Sequence, residues 1–251
     1  MLNAQESDTS PAALARGVVA FKSGLYTDAA SAFRIALSLD PMSSKARLYL
    51  ATTYATQVVP GDVSPDNLAL AQKAIDTLKS VPPDDPDLRV SLKQLASVYR
   101  NIKRLDEART TERAALKLDP TDAAGFYTIG VIDWTQAYKF ATAALAQDAL
   151  TDDGLGNPKM TAATCKILRV HNAPLIADAI DNLNRAVELK PDYSDAMSYL
   201  NLVYRRKADF DCNDPAARAQ NIATAETWTR RASEARAYDD PQQRSTAPTS
   251  P

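Results

Sequence analysis

Residues 115–130 read ALKLDPTDAAGFYTIG, and their pattern decides how the rest of the chain is read. An aliphatic run ends at Leu118-Asp119-Pro120 and a second amphipathic run follows at once. The same pattern stands at 36–51, ALSLDPMSSKARLYLA, and at 186–201, AVELKPDYSDAMSYLN. Proline cannot continue a helical hydrogen-bond ladder, so each of these stretches marks a joint between two helices.

Pro41, Pro83, Pro120 and Pro191 serve as a ruler, with separations of 42, 37 and 71 residues. These intervals equal one or two units of about 34 residues plus insertions, which is the period of a helix–turn–helix repeat. Within the first unit Gly17 and Ala20 occupy one helix, Gly24-Leu25-Tyr26 the turn, and Ala29, Phe33, Ala36 and Pro41 the second. Leu92, Leu95, Ala96 and Tyr99, followed by Leu105, Ala108, Ala115, Leu116 and Pro120, repeat that order, with Glu112 where a large apolar residue is usual. Leu50, Ala51 and Tyr54 with Leu68, Ala71, Ile75 and Leu78 form another copy. Phe126, Ile129 and Gly130 with Ile176, Ala179, Leu183 and Ala186 form the next, and Met197, Leu200 and Tyr204 begin the last.

These residues resemble the tetratricopeptide repeat family. The resemblance implies an all-α, right-handed superhelical solenoid of antiparallel helix pairs, about five units closed by a C-terminal capping helix. Small residues at each crossing let the two backbones approach, and units that bury too little alone must stack. The expected units lie near 10–43, 44–85, 89–122, 123–193 and 194–238. Insertions between the helices of a pair fall near 57–67, 136–172 and 207–215. Segments 1–9 and 239–251, poor in residues that can be buried, are expected to be disordered.

Composition agrees with a helical chain. Only 7 of 251 residues are Gly, 45% are hydrophobic and 24% charged,. A net charge of -2 leaves no basic excess for phosphates, so no nucleic-acid partner is expected,. No apolar run approaches the length of a membrane span, and the first residues carry no basic or apolar leader region.

Catalytic and metal-binding motifs are not found. His171 is the one histidine and has no placed carboxylate or nucleophile beside it, so it reads as a capping or surface residue before a helix,. TDDGLGNP at 151–158 lacks the alternating acids of a calcium loop, and its glycines do not follow a strand, so it reads as a plain loop,. The expected protein is not an enzyme and has no cofactor.

Aligning the units by their prolines projects a set of first-helix residues onto the concave side. They are Tyr49, Lys93, Arg100, Tyr127, Val131, Trp134, Tyr199, Leu202 and Arg205, a groove of aromatics interleaved with cations. Such side chains anchor recognition surfaces, which points to a protein or peptide partner in the groove. The carboxylate-clamp mode of the family needs Lys and Asn where Leu14 and Val18 stand, so that mode is not expected. Trp228 reads as a core anchor of the capping helix. The alternative function is a structural or assembly subunit of an oligomer or surface complex.

Cys165 and Cys212 lie in the insertions of the fourth and fifth units, which stacking would bring to one rim. They form either a disulfide or two free thiols,. Segments such as YTIGVIDWTQAY (127–138) and CNDPAAR (212–218) are similar to exported bacterial, largely acidobacterial, members of the family. That resemblance implies a periplasmic or cell-envelope location, the alternative being the cytoplasm.

Overall fold

A computed structural model describes residues 9–239. The segments expected to be disordered, 1–9 and 239–251, lie outside the described residues except for Thr9 and Asp239. The described residues form ten α-helices and one short 3-10 turn, and the chain divides into two compact units on either side of Asp119 and Pro120.

The first unit holds α1 (Ser10–Lys22), α2 (Tyr26–Leu39), α3 (Ser44–Thr56), α4 (Pro65–Lys79), α5 (Leu88–Asn101) and α6 (Leu105–Leu118). Each helix packs on the next, and the first helices of successive pairs also touch, α1 on α3 and α3 on α5. This is the stacked-hairpin arrangement of a solenoid. Helix starts are written locally. Thr9, Ser43 and Ser64 accept hydrogen bonds from the backbone N–H three residues on, and proline stands in the first turn of α1 and α4,.

The second unit holds α7 (Ala123–Gln147), α8 (Ala162–Leu189), α9 (Ser194–Lys207), a 3-10 turn (Ala208–Phe210) and α10 (Pro215–Asp239). Much of the insertion expected near 136–172 is helix, because α7 runs on to Gln147 and α8 begins at Ala162. His171 therefore lies inside α8 and not before it, exposed and stacked on Phe140. Trp228 on α10 is half-buried against the core of this unit, with the Arg231 guanidinium 4.2 Å from its ring centre. The solvent side of α10 carries Thr, Glu and Arg, the polar outer face that closing a stack requires,.

Most of the repeat residues are core, but Leu68 is 40% exposed, and its neighbour Asn67 is buried instead, bonded to the Val59 and Asp62 backbone. Phe33, Ala36, Ile75, Ala108, Ile129, Ala179, Leu183 and Leu200 are all buried. A Cβ added to Gly17 would sit 2.4 Å from the Phe33 ring, and one added to Gly130 would sit 2.5 Å from Leu183 Cγ. Glycine is present at both crossings because a large side chain of the second helix fills the space against its backbone.

Three helix ends share one device. The N–H of Leu25, Arg104 and Leu150 reaches back to the carbonyl five residues earlier, and the residue before each has positive φ,. In α1 that residue is Gly24 (φ 74°), whereas α5 and α7 place Lys103 (63°) and Ala149 (55°) there.

Candidate protein-interaction face

The structure brings together three of the expected groove aromatics, all in the second unit. Tyr127 and Trp134 project from α7 and meet Tyr199 of α9, with ring centres 5.6 and 5.4 Å away, both edge-to-face. Tyr193 extends the row, 5.0 Å from Tyr127. At the other end Tyr138, one turn beyond Trp134, stacks on the indole at 5.0 Å and is 38% exposed. Val131 and Leu202 are half-buried on α7 and α9. Edge-to-face and offset packing of this kind holds each ring in one orientation, so the row is pre-formed.

In the first unit, Tyr49 is half-buried, stacks on Phe33 at 5.4 Å and packs against the core around that ring, as Tyr127, Trp134 and Tyr199 pack against the core of theirs. Lys93 faces Glu112 of α6 at 3.6 Å, and the Glu112 side chain is only 4% exposed. Glu112, which stands at an apolar position of the repeat, is thus accommodated by an ion pair with Lys93. Arg100 is half-buried in the last turn of α5. Thr52 donates to Gln94 at 3.2 Å, so α3 and α5 meet through polar groups where α7 and α9 meet through rings.

Arg205 is held by its own unit. Its Nε donates to Asn201 Oδ1 (2.9 Å) and its Nη1 to the Gly154 carbonyl (2.8 Å). The loop 148–161 is therefore fixed against the end of α9. Its neighbour Arg206 is buried, pairs with Asp152, and meets Asp209 at 2.9 Å without the alignment of a good hydrogen bond. Asn157 donates to Asp209 Oδ1 at 2.9 Å. One guanidinium thus serves two carboxylates. Burial raises Asp152, but the Arg206 charge and the hydrogen bonds from Gly154, Arg206 and Asn157 outweigh it and hold that acid below its ordinary range. Full burial pushes Asp209 up to about 6 against the pull of Arg206 and Asn157,. Of the two acids of TDDGLGN, Asp152 pairs with Arg206, and Asp153 accepts from the Leu155 and Asn157 N–H groups of its own loop.

Cys165, in the first turn of α8, and Cys212 are joined as a disulfide, with Cα atoms 6.2 Å apart. Tyr138, Tyr193 and the Arg206–Asp209–Asp152–Asn157 cluster are not marked by the repeat pattern. Tyr138 stands one helical turn from Trp134, a spacing that reads the same on any helix, and the cluster joins residues up to 54 positions apart. Among the described residues no helix is long and apolar enough to cross a membrane.

The tetratricopeptide repeat family profile matches residues 93–122. No curated protein matches the chain. Among solved structures the chain is similar to MamA, with a TM-score of 0.60 and 16% identity over 96% of this chain and 98% of that one. It is also similar to YrrB, described as a TPR protein with an unusual peptide-binding site (0.52, 12%, 90% and 91%). A third similar structure is the C-terminal part of a TPR repeat-containing protein from Cytophaga hutchinsonii (0.53, 15%, 93% and 75%). At these identities the likeness is one of fold, shared along nearly the whole chain.

Proposed function

We propose that this chain, which has the fold of tetratricopeptide repeat structures and matches that family's profile over residues 93–122, is a non-enzymatic scaffold that binds a partner protein or peptide on the first-helix face of its second unit. The observation that carries this reading is the aromatic row Tyr127–Tyr199–Trp134–Tyr138, ordered before any partner arrives. Pre-ordered rings lose little freedom on binding and offer large contact area, which is how aromatic anchors gain affinity. The peptide-binding site described for YrrB lends the same reading support from a similar fold.

The anchors are Tyr127, Trp134 and Tyr199, with Tyr138 at the open end. Val131 and Leu202 line the face between them, and Arg205 bounds it through the Gly154 carbonyl. Lys93, Arg100 and Tyr49 belong to the other unit, where Lys93 balances Glu112 and Tyr49 supports Phe33. The partner site is accordingly centred on α7 and α9. The Cys165–Cys212 bridge supports placement in an oxidising compartment, the periplasm or cell envelope,.

Peptides selected from a displayed random library against the whole chain test the reading. Trp134→Ala should weaken the selected peptides at least tenfold while the helical circular dichroism is kept. Unchanged binding would place the site elsewhere, and joint loss of binding and helicity would make Trp134 a core residue. A second reading, as an assembly subunit, draws on the exposed aliphatic stripe Ile35, Leu39 and Met42 along and beyond α2,. Sedimentation that changes with concentration, and ceases to change in Leu39→Glu, would favour it.

A further inference from the structure

The disulfide and the buried polar cluster converge on one short segment. Cys165 opens α8, and Cys212 follows the 3-10 turn that contains Asp209 and Phe210. One helical turn beyond Cys165, Arg169 donates to the Phe210 carbonyl, so α8 grips the turn at two points. Asp209, fully buried, accepts from Asn157 and faces Arg206. Asn157 in turn closes its loop upon itself, its N–H donating to Asp153 Oδ1 and its Oδ1 accepting from the Asp153 N–H, both at 3.0 Å.

The remaining ties of that loop end in the same place. Arg206 takes Asp152 and Arg205 takes the Gly154 carbonyl. Gly156 lies so close that a Cβ there would be 2.8 Å from the Ala208 carbonyl. The centre of the loop is therefore held by residues 205–209, and the turn they run into is fixed by the bridge. Two carboxylates sharing one buried guanidinium gain little net stability, because desolvation offsets much of their attraction. A covalent tie adds to such an arrangement by restricting the freedom that release of the turn would gain.

We propose that the Cys165–Cys212 disulfide is a redox latch: oxidised, it keeps loop 148–161 seated on the 205–209 end of α9, and reduced, it releases loop and turn together and frees Arg205 at the edge of the aromatic face. Cys165 is buried and Cys212 half-buried, so a dithiol reductant attacks the Cys212 sulfur. A mixed disulfide forms on Cys212 and Cys165 leaves as a thiolate. The second thiol of the reductant then displaces Cys212. Two electrons and two protons pass to the protein cysteines, and the reductant becomes a disulfide. The consequence for Arg205 rests on the proposed binding face, but the latch itself does not.

Hydrogen exchange of the full chain, oxidised and after dithiothreitol, tests it without any partner. Reduction should accelerate exchange at least tenfold in 148–161 and 205–218 and leave α1 to α6 unchanged. Unchanged exchange in those two segments, or an equal acceleration throughout the second unit, would overturn the latch. Asn157→Ala gives a second measure. It should loosen 148–161 in the oxidised protein, and reduction should then add less than threefold in that loop. A further full tenfold gain would mean that bridge and loop are independent and would also overturn it. Failure here leaves peptide capture by Trp134 untouched, so the two readings fall separately.

Discussion

The two units place the same crossing in different surroundings. Gly17 under Phe33 and Gly130 under Leu183 are one device, a bare backbone filled by a large partner side chain. In the first unit it joins helices of 13 and 14 residues, and the first-helix face there is polar, with Thr52 on Gln94 and Lys93 on Glu112. In the second it joins helices of 25 and 28 residues that carry an aromatic row, a clamped loop and a disulfide. A repeat needs its crossing residues in order to stack, and everything away from the crossing is free to diverge. Loop 148–161 and the Cys165–Cys212 bridge are found where α7 and α8 outgrow the repeat.

The largest effects should come from emptying the crossings. Phe33→Ala should cost about 3–5 kcal/mol and Leu183→Ala about 2–5 kcal/mol, since both side chains are fully buried,. Chemical denaturation followed by hydrogen exchange checks this, and each variant should loosen its own unit first. Equal loosening of both units by either variant would break the comparison, because the chain would then open as one body.

Asp209 sharpens the contrast through pH. Its carboxyl is raised to about 6 in the folded chain against 3.8 when unconstrained, so the native state binds the extra proton between these values,. The stability it contributes is complete below about pH 4 and is lost as pH rises through about 6, by at most about 3 kcal/mol. Asp62 and Asp85 in the first unit run the other way, as do Asp148 and Asp152 in the second. Hydrogen bonds from Ser64 lower Asp62. Those from Ser44 and Asp87 lower Asp85, so their contribution is lost as pH falls below the ordinary carboxylate value. Thermal melts of wild type and Asp209→Asn should therefore lie closest near pH 4, where the acid is neutral like the amide, and wild type should fall relative to the variant as pH rises to 7,. A constant gap would mean that Asp209 does not titrate there.

The smallest effect concerns the shared helix ends. Lys103→Gly and Ala149→Gly should each stabilise by about 0.5–1 kcal/mol, because both residues hold the positive φ that Gly24 adopts at the equivalent turn,. Gly24→Ala should cost a similar amount. Denaturation midpoints are sufficient to read these shifts, and a loss in either glycine variant would show that the native side chain there contributes more than its backbone costs.

The fold was legible because its causes are local or periodic. Ala29, Phe33, Ala36, Ile75, Leu183 and Leu200 announce the core by spacing alone. The candidate site was legible in part. Projection from the prolines selected Tyr127, Trp134 and Tyr199, which meet, but it also selected Lys93 and Arg205, which are engaged by Glu112 and by the Gly154 carbonyl. A projection gives the side of a helix that a residue occupies and contains nothing about what the opposing chain presents.

By itself, the sequence determined the repeat, the joints at Pro41, Pro120 and Pro191 and the two cysteines within reach of one rim, since these depend on residue type and interval. Only the tertiary structure decided that the aromatics close into a row and that Arg206 would be shared by Asp152 and Asp209. The same holds for the seating of loop 148–161 on the end of α9. Those pairings join residues up to 54 positions apart through side chains whose partners are set by helix length and packing, and no interval along the chain encodes them,.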